Sequence, residues 1–491
     1  MGSHANRAPP VHEDMLIAGA RVDASARLTV YNPARPDELV GTIPRGTPDY
    51  VDRAVAAAKQ AQPSWARLSF TERAAILQMA LENVAVDVDR RAPLFVRENG
   101  KTLAEAKGEL GSIIQRQKMA LSFASELDAA KALAAPRGRT FVAYRPYGVV
   151  ASIVPWNAPV SLAFTQIIAA LLAGNCVVLK PPESCPLVVT RSVVLFAAGL
   201  PPGVVNIVTG LPSEIGDALT RHSDVAKIGF TGSIPSARHI MANAAQGIKN
   251  ITLELGGNDP AIVLDDVELN ENTVSGLIAG TFPLTGQVCM AIKRIYVPVK
   301  RLDQFTEALS QAVDRFVVGD GLEPGVTMGP LHTRAAQQRA EAMVAEAKQL
   351  GGEVRTLGKI DNAATFAGGY FMRPAVVTGL PDRARLVAEE QFCAAVPVMT
   401  YDDLDDAVER ANNSVYGLSA SVWGQDIERA LTVARQIEAG QVWVNAHGVA
   451  AINHMTAYGG IKQSGIGCRS GMQGILEYTQ ARTITTNEMP A

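Results

Sequence analysis

The stretch from 148 to 254 constrains the fold more than any other part of the chain. Apolar runs at 148–154, 176–180, 204–208, 226–230 and 250–254 have strand composition. Helical patterns fill the gaps, at 159–173, 186–198, 213–221 and 234–244. Continuous apolar strands separated by helices predict a parallel sheet covered on both faces. Such sheets bind ligands outside the carboxyl ends of their strands. Asn157, Lys180, Thr231, Ser233 and Glu254 fall at or just after those ends, which locates a candidate site before any chemistry is considered.

A second alternation starts at Asp259. Strands are expected at 261–264, 292–297, 396–401, 418–423 and 441–445, and helices at 301–317 and 332–350. The 491 residues suggest about three domains. No solenoid repeat or low-complexity linker separates the two α/β parts, so they are expected to pack closely around a shared active site. Upstream, residues 1–48 read as irregular or strand-rich. Thr47-Pro48-Asp49 then reads as a helix start, with Thr as cap and Pro in the first turn. Helical pattern continues to about 134. Glu98, Lys101, Glu105 and Lys107 read as a solvated helix face with local ion pairs. Residues 140–147, with Pro146, read as an edge strand.

Charge and cysteine usage exclude several classes. The 45 basic and 48 acidic residues give −3, with no basic excess for nucleic acid and no polybasic run for an anionic membrane. The five cysteines, Cys176, Cys185, Cys289, Cys393 and Cys468, are scattered without CxxC spacing. That pattern points away from a disulfide framework or zinc site and toward a reducing, cytoplasmic compartment; no metal is expected. Met1-Gly-Ser-His-Ala5 lacks the charged and apolar regions of a signal peptide. The apolar stretch 160–179 is broken by Thr165-Gln166 and Gly174-Asn175, so it reads as a buried helix followed by a buried strand.

Phe282-Pro-Leu-Thr-Gly-Gln-Val-Cys289-Met290 places one thiol on a loop, where it can meet a ligand. A buried structural Cys is the ordinary alternative, and this stretch alone does not exclude it. Phe230-Thr-Gly232-Ser233-Ile-Pro235 offers a second feature. No GxGxxG is present, but Ser233 suits an N-cap and Pro235 a first turn, and free N–H groups there can bind pyrophosphate. Glu254, before Gly256-Gly257, reads as either a plain surface group or a base with a raised pKa. Trp156 is either beside a cofactor or simple core.

Taken with Pro155-Trp-Asn157, Lys180-Pro-Pro-Glu183, Glu254-Leu-Gly-Gly257, Glu389-Glu390-Gln-Phe392 and Gly459-Gly-Ile-Lys462-Gln-Ser-Gly465, the chain resembles the aldehyde dehydrogenase superfamily of the non-acylating type. The likeness runs from about Tyr31 to Tyr478. It implies an α/β fold with a Rossmann-like cofactor domain at 1–128 and 147–256 and a second α/β catalytic domain at 257–470. A small β oligomerisation element would comprise 129–146 and 471–491, giving a homodimer or homotetramer. By resemblance, Cys289 is the nucleophile, Asn157 the oxyanion donor and Glu254 the general base. NAD is the implied cofactor, with NADP the lesser alternative. Lys180 and Glu183 would meet the adenosine ribose; Trp156, Thr231, Gly232, Ser233, Glu390 and Phe392 complete the implied cofactor site.

The resemblance also implies a substrate tunnel lined by Leu162, Thr165, Val288, Met290, His447 and His454. Those stretches carry no Lys or Arg, so an uncharged aromatic or aliphatic aldehyde is expected, with Arg116 or Lys118 as the one source of a cation at the mouth. Ala158, Gln166 and Cys393-Ala394 depart from the usual family residues. The competing readings are a coenzyme-A-acylating relative and an inactive structural member of the fold.

Overall fold

The computed structural model describes residues 8–129, 132–135 and 138–487. Met1 to Ala5, considered above as a leader, and parts of 129–146 and 471–491 lie outside those residues.

The first alternation folds as the sequence dictates. Strands Val149–Ile153, Cys176–Lys180, Val205–Ile207, Val225–Thr231 and Asn250–Glu254 run parallel within an eight-stranded sheet. Helices Pro159–Leu172, Leu187–Ala197, Pro212–Arg221 and Ile234–Ala245 connect them. Every residue of Cys176–Lys180 is buried, as expected of a strand covered on both faces. Both flanks of this parallel block come from distant sequence. Met15–Ile17 pairs antiparallel with Val205–Ile207, and Gly465–Ile466 pairs antiparallel with Asn250–Glu254. The stretch 160–179 is a buried helix and strand. Among the described residues, no helix is long and apolar enough to cross a membrane.

The second alternation forms a seven-stranded sheet over its own apolar core. Its strands Ala375–Thr378, Ala395–Tyr401, Ile292–Pro298, Asp259–Val263, Ser419–Trp423 and Gln441–Val444 are parallel neighbours in that order. Ala375–Thr378 and the antiparallel edge strand Glu353–Thr356 escape the sequence reading. The helix expected at 301–317 is shorter, Leu302–Val313, because the chain passes into the two-residue strand Val317–Val318. A separate three-stranded sheet joins Thr479–Thr485, Gly138–Pro146 and Ala132–Ala135 in that order, so the segment expected as an edge strand at 140–147 is instead the central strand, paired on both sides.

Three further local readings are corrected. Thr47 precedes helix Pro48–Ala66, but its side chain makes no capping bond; Pro48 alone sets the first turn. The helical region ends at Asp128, before strand Ala132–Ala135. Of the supposed solvated face only Lys107 is one, exposed and paired with Asp89. Glu98 is fully buried and accepts from Leu187 N (2.8 Å) and Val188 N (2.7 Å), capping the distant helix Leu187–Ala197. Lys101 is buried against Glu109, and Glu105 reaches the loop before Cys289. Helical periodicity shows that a face is polar. It does not show that other N-termini will dock on it.

Candidate active site

The nucleophile loop has an unusual backbone. Leu284 (φ 54°), Thr285 (φ 60°) and Gly286 (φ 77°) are three consecutive left-handed residues. Non-glycine residues adopt that region at a cost of roughly 1–3 kcal/mol and keep it where surroundings over-determine them. Here they do. Leu284 N donates to Glu105 Oε1 (2.7 Å), Thr285 Oγ1 to Gly329 O (2.9 Å), and Gln287 Nε2 to Leu284 O (2.8 Å). His332 N closes the set by donating to Gln287 Oε1 (2.9 Å). Gly286 is required for a second reason: a Cβ there would lie 2.2 Å from Cys393 O.

Cys289 leaves this loop half-exposed. A Cβ on Gly257 would lie 2.6 Å from Cys289 O, so the Gly256-Gly257 turn after Glu254 lets the two segments touch. Asn157 is buried at the other side, and its Nδ2 donates to Gln287 O (3.0 Å). Glu254, at the end of its strand, is buried, and its Oε1 has no hydrogen-bond partner among the described residues. Burial raises its carboxyl to about 7, with Arg469 opposing. Burial, then the Glu390 carboxylate, pushes the Cys289 thiol up to about 12, against Lys293. The three expected catalytic residues therefore lie together, and the surroundings of Cys289 favour its thiol form.

An expected result follows for the free protein. The thiolate fraction at Cys289 grows about tenfold per pH unit below its pKa, and thiolate is the nucleophile. Iodoacetamide labelling of Cys289 should therefore climb steadily from pH 7 to 10; a plateau near 7 in the peptide-resolved labelling rate would show a thiolate already formed at rest.

The expected cofactor residues divide. Trp156, Lys180, Glu183, Thr231, Gly232 and Ser233 line one cavity of about 730 Å³. Ser233 accepts from Ser236 N (3.3 Å) and caps helix Ile234–Ala245, with Pro235 in the first turn, as the sequence indicated. Pro212 and Ile240 add apolar wall, and Asp217 and His239, 2.6 Å apart, add a polar rim. Lys180 is committed to Glu183 (3.3 Å). Glu390 and Phe392 lie outside that wall. Glu390 Oε1 accepts from Gly257 N (3.1 Å), and Phe392 packs edge-on against Trp156 at 5.9 Å. A capped helix start, an apolar slot and a rim bearing the Glu183 and Asp217 carboxylates fit a dinucleotide.

Of the substrate-tunnel residues, Met290 and His447 are buried together. His447 Nε2 lies 3.0 Å from Met290 O and Nδ1 lies 2.9 Å from Ser421 Oγ, so the imidazole supports the nucleophile loop. Leu162 packs on the first core, and Val288 O accepts from the buried Lys293 ammonium. Thr165 and His454 line a small recess with Arg116. Burial, then Arg116, lowers the His454 pKa.

Four residues near the site have no clear sequence signal. Lys293 lies in an apolar strand beside Glu390. His332 stacks on Trp156 at 4.2 Å and 11°. Tyr458 lies within electrostatic reach of Glu254 and Cys289. Arg469 is buried and donates Nη2 to Phe230 O (3.1 Å). Gln166 is satisfied with its amide nitrogen toward Gly229 O (3.0 Å) and its oxygen toward Arg469 Nη2 (3.2 Å). Tyr458 and Arg469 flank a recognised motif, the glycines at 459–465, and Lys293 follows the Cys289 stretch by three residues.

A parallel sheet with a capped-helix cavity at its strand ends, together with a loop thiol and a buried carboxylate, has the parts a dinucleotide-dependent oxidoreductase needs. Comparison with known proteins makes this specific: the aldehyde dehydrogenase family model matches residues 21–484, and the chain belongs to that family, whose reaction is aldehyde oxidation. It is 35% identical to the NADP(+) succinate-semialdehyde dehydrogenase of Escherichia coli strain K12, over 96% of this chain and 97% of that one. It is 36% identical to the phenylacetaldehyde dehydrogenase of Pseudomonas fluorescens, over 96% and 95%. Among solved structures, the betaine aldehyde dehydrogenase of Staphylococcus aureus in complex with NAD+ superposes with a TM-score of 0.91 at 32% identity, covering 98% of this chain and 96% of that one.

Proposed function

We propose that this protein is an NAD-dependent aldehyde dehydrogenase that releases a free carboxylic acid through a thiohemiacetal and a thioester on Cys289. One observation carries the reading: a buried Glu254 carboxylate, its Oε1 without a hydrogen-bond partner among the described residues, lies within electrostatic reach of Cys289, and the Asn157 amide holds the nucleophile loop through Gln287 O. Cys289 gives its thiol proton to solvent, and the thiolate Sγ adds to the carbonyl carbon as the C=O π pair moves onto oxygen. Asn157 Nδ2 and the Cys289 N–H stabilise the resulting oxyanion, a donor there being worth about 3 kcal/mol. The nicotinamide, when bound, supplies the hydride acceptor. Glu254 then takes a proton from water as its oxygen attacks the thioester, and the carbon–sulfur bond breaks.

Glu183 and Asp217 support NAD over NADP, because a 2′-phosphate at that rim would meet two carboxylates while Lys180 is already paired. An uncharged, apolar aldehyde is supported by the engaged His447 and by the lowered pKa of His454, which leave no fixed cation among the tunnel residues considered. In this reading the protein works in the cytoplasm. It assembles as a homodimer or homotetramer through 129–146 and 471–491, where the outer strands Ala132–Ala135 and Thr479–Thr485 each leave one edge unpaired among the described residues. The retained Glu254 favours hydrolysis over transfer to coenzyme A, and the three intact residues favour catalysis over a purely structural role.

The test is kcat/KM for benzaldehyde, hexanal and succinic semialdehyde, each with NAD and NADP, and product analysis with and without coenzyme A. The expected result is NAD preferred, free acid as product, and both uncharged aldehydes ahead by about tenfold, the discrimination a misfit charge readily produces. Preference for the semialdehyde would overturn the substrate reading and point to Arg116; acyl-coenzyme A as product would overturn the hydrolytic one.

A further inference from the structure

Glu98-Asn-Gly-Lys101-Thr-Leu-Ala-Glu105-Ala-Lys-Gly-Glu109 precedes every motif used above, and no step of the mechanism involves it. Glu105 and Glu109 are four residues apart on helix Leu103–Leu121, so they share a face. Each reaches a different half of the active site.

Glu109 Oε1 accepts from Val160 N (3.1 Å) and Ser161 N (3.0 Å), at the start of helix Pro159–Leu172. That helix needs an outside acceptor, because its N-cap residue is Ala158, which has no side-chain oxygen. Glu109 Oε2 is 2.5 Å from Lys101 Nζ, and the same ammonium donates to Asn157 O (3.3 Å). Lys101 is buried, 3.8 Å above the Phe95 ring, and is thus held in place from a third side. The backbone on both sides of Ala158 is therefore tied to this pair. Glu105 divides its oxygens between Thr102 N (2.8 Å), in its own capping box, and Leu284 N (2.7 Å), in the left-handed turn before Cys289.

We infer that Glu105 and Glu109 are positioning residues for the chemistry at Cys289, one helix face fixing the nucleophile turn and the Asn157 segment relative to each other. The inference rests on the roles given above to Cys289 and Asn157. The oxyanion hole draws one donor from each segment, so its geometry depends on their separation. Charge-assisted hydrogen bonds to main-chain N–H groups are suited to holding such a separation.

The experiment compares Glu105→Ala, Glu105→Gln and Glu109→Gln in the full chain. The pre-steady-state burst of reduced cofactor, NAD binding, thermal midpoint and iodoacetamide labelling of Cys289 are measured for each. Alkylation by iodoacetamide develops no oxyanion in the hole. Glu109→Gln keeps an acceptor for the Val160 and Ser161 N–H groups but leaves the buried Lys101 ammonium, which holds Asn157 O, without its carboxylate; it is expected to slow the burst by about tenfold or more while leaving labelling and NAD binding unchanged, since small misplacements are costly in rate. Glu105→Ala should slow both burst and labelling, and Glu105→Gln, which keeps a carbonyl acceptor for Leu284 N–H, should recover most of the burst. Burst rates within about twofold of the parent in Glu109→Gln and Glu105→Ala would overturn the inference, as would losses matched by equal losses in NAD binding. If Glu105→Ala does not fold, Glu109→Gln decides alone. Turnover surviving in Cys289→Ala would instead remove the premise, so the two failures are distinguishable.

Discussion

Cys289→Ala should lose aldehyde oxidation by about four orders of magnitude or more while still binding NAD, because removing a nucleophile leaves only binding and oxyanion stabilisation. The cofactor cavity, lined by Lys180, Glu183 and Ser233, does not include Cys289, so binding is expected to survive the change. The fold should survive too, since Cys289 is half-exposed and the strained turn is held by Glu105, Gln287 and Gly329. Cys176→Ala is the control. Cys176 is fully buried in a central strand, and its thiol is pushed up to about 12 by burial alone. Its loss should affect packing and leave the reaction intact. Turnover by Cys289→Ala, followed as absorbance of the reduced cofactor, would end the assignment.

Glu254→Gln should produce a burst of reduced cofactor followed by turnover about 10²- to 10⁴-fold slower than the parent, the usual contribution of a general base. The amide preserves shape and cannot take a proton from water. Hydride loss precedes that step, so the first turnover stays fast. The pH dependence has a definite sign. The active base is the carboxylate, and its pKa is raised to about 7 by burial, with the Arg469 guanidinium holding it from rising further. Where hydrolysis limits the parent, turnover should rise as pH climbs through about 7 and then level; Glu254→Gln should flatten that rise. Equal loss of burst and steady rates would place Glu254 before or during acylation.

The parallel core was readable because burial on both faces writes itself into composition. Cys176–Lys180 and Asn250–Glu254 were located to the residue. Asn157, Cys289 and Glu254 were visible as polar residues at strand ends or on a loop next to turn formers. What failed was anything settled by a distant partner. Glu98, Glu105 and Lys101 look like any charged helix face, and only the docked helix starts and the nucleophile turn make them interior. Arg469 and Lys293 were missed for the same reason: whether a cation is buried depends on which carboxylates and carbonyls the fold brings to it. The bond from Gly257 N to Glu390 likewise depends on loop geometry that no local pattern encodes.

The strand carrying Glu254 is flanked on its outer side by Gly465–Ile466. Ile475 and Tyr478 also belong to the first hydrophobic core. At about 5–20 residues per second, a ribosome needs roughly ten to forty seconds to pass from the one strand to the other. For that interval the nascent cofactor domain has a bare strand edge and an incomplete core, the kind of surface that invites wrong pairing. The second domain is made in the meantime, between the open edge and the segment that closes it. The base's surroundings are thus completed only once the residues from Gly465 to Tyr478 have emerged, and a chain interrupted before Gly465 leaves behind an adhesive intermediate in place of an enzyme.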